Sequence, residues 1–86
     1  GFKLEQNSPN PFNKSTFIGF HLSESNWVRL VVVDLNGKEL YSLKKYYEKG
    51  YHRVELDQRD LAVQGTLLYT LTAGKHTATR KLIFYE

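Results

Sequence analysis

Eighty-six residues leave room for one domain built around one core. The absence of cysteine excludes disulfides and thiolate metal sites, and no apolar run approaches the roughly 18 residues that a membrane span requires. A net charge of +3 arises from basic residues spread from Lys3 to Lys81 and interleaved with acids, a distribution that gives no reason to expect nucleic acid as a partner.

In chain order, residues 2–6 (FKLEQ) offer a short strand pattern. "NSPNPFNKSTFI" follows and places both prolines directly before a strong strand. Pro9 and Pro11 favour extended conformations at Ser8 and Asn10, and Phe12 is expected to anchor the segment in the core. Residues 16–22 (TFIGFHL) alternate, with Ile18, Phe20 and Leu22 on one face. Residues 27–35 (WVRLVVVDL) put Val28, Leu30 and Val32 on one side and Trp27, Val31 and Val33 on the other, which leaves open a strand covered on both faces. Asn36-Gly37 then signals a hairpin of type I′.

Residues 38–47 (KELYSLKKYY) form the returning strand, with Leu40 as its expected core residue, and Gly50 marks a turn. Residues 51–57 (YHRVELD) align His52, Val54 and Leu56. The stretch "QRDLAVQG" reads as a turn or short helical crossover ending at Gly65. Residues 66–73 (TLLYTLTA) and 77–85 (TATRKLIFY) alternate again around a tight hairpin at Gly74. Six or seven short strands without an amphipathic helix predict an all-β fold, an immunoglobulin-like antiparallel β-sandwich, although periodicity alone does not exclude a small barrel.

No catalytic signature is present: there is no G-x-S-x-G, no Gly-rich phosphate loop and no cysteine nucleophile. His21, His52 and His76 lie in separate elements without metal-ligand spacing, so no metal, cofactor or enzymatic activity is expected. Asp34, Asp57 and Asp60 could supply paired carboxylates, but two of them adjoin turn or crossover residues, where aspartate commonly bonds its own backbone. The aromatics Trp27, Tyr41, Tyr46, Tyr47 and Tyr51 are the alternative site, a platform that would make the chain a carbohydrate-binding module of an extracellular enzyme. The opposing reading is that Tyr and Trp are simply good strand residues.

Taken in order, "LEQNSPNPFNKST", "VRLVVVDLNGKEL", "GYHRVELD", "LAVQGTLLYTL" and "AGKHTATRKLIF" resemble the type A C-terminal sorting domain of cargo proteins of the type IX secretion system in Bacteroidetes. The resemblance implies a non-catalytic signal domain, residues 1–86, cut from a larger secreted protein. It agrees with the absence of methionine and with Gly1 at the start. The implied partners are an N-terminally fused cargo, the translocon, and its outer-membrane shuttle and sortase components. The implied route runs through the periplasm to the cell surface or beyond, with the domain removed afterwards by a sortase-like peptidase.

The family's motifs fall on Asn10, Pro11 and Phe12, on Asp34, Gly37 and Lys38, on Gly50, Gly65 and Gly74, and on Thr77, Ala78, Thr79, Arg80, Lys81, Leu82 and Ile83. Most have a structural role in any context: glycines for positive φ, Asp34 to cap its hairpin, Pro11 to fix the approach to the strand. Recognition by the translocon is expected at Arg80, Lys81, Leu82, Ile83, Phe84, Tyr85 and Glu86, because an edge strand exposes backbone groups and alternating side chains to a receptor.

Overall fold

In chain order the strands are β1 (Lys3–Leu4), β2 (Ser15–Leu22), β3 (Asn26–Val33), β4 (Glu39–Tyr47), β5 (Gly50–Asp57), β6 (Gly65–Ala73) and β7 (His76–Phe84), with a 3-10 turn at Gln58–Asp60. This computed structural model describes residues 2–85. Two antiparallel sheets, ordered β1-β2-β5 and β4-β3-β6-β7, make the expected seven-strand sandwich.

Period-two alternation fixes which side of each strand meets the core. Ile18, Phe20 and Leu22 from β2 and Val54 and Leu56 from β5 point toward Val28, Leu30 and Val32 from β3 and Leu67, Tyr69 and Leu71 from β6. Leu82 and Phe84 extend this core along β7, while Leu4, Phe12 and Leu61 close its ends. The "QRDLAVQG" stretch supplies Leu61 after the 3-10 turn and reaches β6 at Gly65.

The β3–β4 connection reverses where expected, but not as a type I′ turn. Asn36 does not adopt a positive φ; Gly37 alone does, at 85°. Asp34 explains the difference. Its carboxylate accepts from the N–H groups of Asn36 and Lys38, and its carbonyl accepts from Gly37 N–H at 3.0 Å, so the side chain shapes a longer loop. The register then slips between Val32 and Val33, leaving Leu40 unpaired as the extra residue. Leu40 is consequently half-buried, and Tyr41 and Leu43 take the inward positions that alternation had assigned from Leu40.

Outer cover is also absent from β3: Trp27 is 57% exposed, and Val31 and Val33 are only half-buried. By contrast, the β6–β7 hairpin follows its sequence closely. Ala73 pairs with His76, and Gly74 at φ 61° occupies the first of two central positions, where a Cβ would press against the Asn26 amide.

Candidate functional site

β7 lies at one edge of its sheet, so one row of its backbone groups faces away from β6. Its side chains divide by parity. Leu82 and Phe84 are buried, whereas Lys81, Ile83 and Tyr85 face outward. Of the seven residues expected to meet a receptor, the two buried ones therefore act through the core, and Glu86 lies outside the described residues.

The N-terminal segment closes on this edge. Phe12 N–H donates to Ile83 O and Tyr85 N–H donates to Phe12 O, each at 3.0 Å, in a short parallel pairing. One step earlier, the Asn10 side chain stands in for a strand carbonyl and accepts from Ile83 N–H at 2.9 Å. Beneath these bonds the rings of Phe12 and Phe84 meet at 5.2 Å. The peptide bonds Ser8-Pro9 and Asn10-Pro11 are both cis. Further along, Gln6 donates to Lys81 O at 2.7 Å, and Arg80 reaches across the sandwich to Leu4 O at 2.8 Å.

A buried polar network holds the segment in place. Tyr69, fully buried, donates from its hydroxyl to Glu5 O and accepts from Asn7 N–H. Asn7, itself 3% exposed, donates through its side chain to Thr16 and to Pro9 O, and Thr16 also donates to Pro9 O. Burial pushes the Tyr69 phenol above its ordinary value against the opposing bond from Asn7, which keeps it a neutral donor. Every buried side-chain polar atom among the described residues has a partner, as a stable buried network requires.

Motifs far apart in sequence thus occupy one place. Asn10, Pro11 and Phe12 form one side of a clasp and Arg80 to Tyr85 the other, rather than marking opposite ends of the molecule. The backbone of Ile83 and Tyr85, expected to be open, is already paired within the chain. Asp34, Gly37 and Lys38 shape the β3–β4 turn; Gly50, Gly65 and Gly74 carry positive φ at strand starts and in the last hairpin. Thr77 and Thr79 face outward and bond Thr72 and Thr70 across the β6–β7 pair. Gln6, Asn7, Thr16 and Tyr69 carry no local sequence signal that separates them from loop or core residues. Only Tyr69 stands out in hindsight, as a phenol on an otherwise aliphatic inward face.

The aromatic platform does not assemble. Trp27 and Tyr46 are neighbours on the outer face of their sheet, but their rings meet edge-on at 71°. Tyr41 and Tyr47 turn inward, where burial raises both phenol pKa values. Tyr51 lies on the other sheet, bonded to Glu5. The histidines are likewise dispersed: His21 opposes Lys3, His52 contacts Glu48 O at 2.6 Å, and His76 stacks on Phe2. No group of three metal-ligating side chains occurs among the described residues.

A seven-strand antiparallel sandwich whose first and last segments are clasped together defines a small non-helical module. The family model for the secretion system C-terminal sorting domain matches residues 8–85, and the chain belongs to that family, the sorting signal of type IX secretion. Its matched region begins at the prolines and ends at the last residue of the clasp. No curated protein and no solved structure matches the chain. A type IX sorting signal implies a cargo on the N-terminal side and a destination outside the cell or on its surface.

Proposed function

We propose that this domain carries an N-terminally fused cargo from the periplasm across the outer membrane, with the translocon reading the outward face of the clasped strand. The observation that supports this is the clasp itself. It fixes Lys81, Ile83 and Tyr85 on an exposed face while tying their backbone to Gln6, Asn10 and Phe12. Receptor contact falls on these three side chains and on Leu68, the cross-strand neighbour of Lys81. Leu82 and Phe84 serve by keeping the strand seated. Shuttle and sortase components act on the same module, and a sortase-like peptidase removes the domain after export.

The experiment places residues 1–86 behind a signal peptide and a reporter in a host competent for type IX secretion. Reporter outside the cell is the expected result, and its retention in the periplasm would defeat the proposal. A Lys81→Glu, Ile83→Ser, Tyr85→Ser variant should fold but remain in the periplasm. Normal export of that variant would remove the assigned contact face.

A further inference from the structure

The clasp covers only part of the β7 edge. Backbone groups of Lys81, Ile83 and Tyr85 point away from β6, as their bonds to Gln6, Asn10 and Phe12 show. The β6–β7 register is continuous from Gly65–Phe84 to Ala73–His76, so the same outward orientation applies to Thr79 and Thr77. On that side the backbone groups of Thr77 and Thr79 and the Lys81 N–H make no hydrogen bond with the described residues, although Phe2 stacks on His76 and Leu4 O accepts from Arg80 nearby. An unpaired ladder of about two residue pairs therefore lies directly beside one that a segment of this chain already occupies.

The two strands that carry this ladder have charge of one sign, and one acid from another element, Glu24, lines a cleft with His76 at the start of the edge. From Gly65 to Tyr85 the chain contains no aspartate or glutamate, and it carries Lys75, Arg80 and Lys81. The other edges differ. β5 presents both Arg53 and Glu55, and β4 itself carries the bulge at Leu40 and places the exposed Lys45 on the core-side face of its edge, paired with Val28, features that discourage strand addition. Arg80 also turns inward, but its guanidinium is tied to Leu4 O and does not project past the edge. A second copy of this chain would bring Lys75, Arg80 and Lys81 against their own counterparts, whereas an acidic strand would meet them with attraction.

We propose that the Thr77–Lys81 edge of β7 is a strand-addition site for an extended acidic segment of another protein. The site shares Lys81 with the outward face assigned above and is otherwise distinct from it, since it uses the backbone edge at Thr77 and Thr79 and neither Ile83 nor Tyr85. It stands whether or not export is the process that uses it.

The probe is a synthetic peptide of alternating glutamate and valine, with alternating lysine and valine as its control, titrated into the 86-residue domain and followed by amide hydrogen exchange. At a peptide concentration about ten times the Kd, exchange at Thr77, Thr79 and Lys81 should slow about tenfold, because it proceeds only through the free form. The basic peptide should leave these amides unchanged. Thr79→Pro removes an outward N–H that β6 does not use, together with the hydroxyl bond to Thr70, so the variant should unfold at a lower midpoint, remain folded in the absence of denaturant, and lose the protection. A Lys75→Glu, Lys81→Glu variant should reverse the preference toward the basic peptide. Unchanged exchange with the acidic peptide, equal protection by both peptides, or full protection of a folded Thr79→Pro variant would each overturn the proposal. Reporter export is scored separately, so failure here is distinct from failure of the secretion reading.

Discussion

Tyr69 illustrates how one hydroxyl can govern a whole segment. It is fully buried and serves two backbone groups of the N-terminal run, Glu5 O as donor and Asn7 N–H as acceptor. Tyr69→Phe keeps the ring and removes both bonds, leaving buried Asn7 N–H unsatisfied. We expect a loss of about 1–3 kcal/mol in urea unfolding, with faster amide exchange at Asn7. Asp57 offers a test by pH. Hydrogen bonds from the backbone and side chain of Arg59 hold its carboxyl below the ordinary value of 3.8. A depressed carboxyl adds stability above the unfolded pKa, and that stability disappears as pH falls through the folded value. Asp57→Ala should therefore unfold at lower urea than the parent at about pH 7, with the deficit narrowing at about pH 3.

At the scale of elements, the clasp rather than any single strand is the unit of interest. Asn10→Ala removes the acceptor for Ile83 N–H but leaves the two Phe12 bonds and the Phe12–Phe84 contact intact. Exchange at Ile83 should accelerate well before that at Leu82, whose N–H faces β6, and equal acceleration at both would show that the strand detaches as one piece. The strands themselves were legible in the sequence because alternation is a local property: β2, β6 and β7 fall within one residue of their expected limits. The details lost were those set by partners distant in sequence. Leu40 alternates correctly on its own, and the slip against Val32 and Val33 leaves it half-buried against the margin of the core beside Tyr41 and Leu43. Asn-Gly permits a type I′ turn, but the Asp34 carboxylate stabilises another. Asn7 reads as loop, and its burial depends on Thr16 and Tyr69 meeting it from two different sheets.

For the molecule as a whole, the proposed reading makes sorting competence depend on folding through the clasp. Removing residues 81–86 would test the recognition face poorly, since it also withdraws Leu82 and Phe84 from the core. Phe12→Ala separates these effects in the opposite direction, because it leaves every outward side chain of β7 in place. Truncating this ring, 2% exposed and packed at a tilt against Phe84, should cost about 3–5 kcal/mol. Against a total of about 5–15 kcal/mol for a domain of this kind, that is a large share. Melting should drop steeply, and reporter export should fall with the folded fraction although Lys81, Ile83 and Tyr85 are unchanged. Undiminished export by a domain shown to be unfolded would mean that the translocon reads linear sequence instead of a folded surface.

The contact between Phe12 and Phe84 has a further consequence for a protein made from its N terminus onward. Phe12 emerges early in the synthesis of this domain, yet its ring partner and two of its hydrogen-bonding neighbours, Ile83 and Tyr85, emerge among the last residues. A ribosome that stops short of them leaves the first segment without its strand. If the clasped strand is the address, as proposed, it is missing from any copy that stops before Ile83 and Tyr85, and assembly of the clasp reports that translation has passed them.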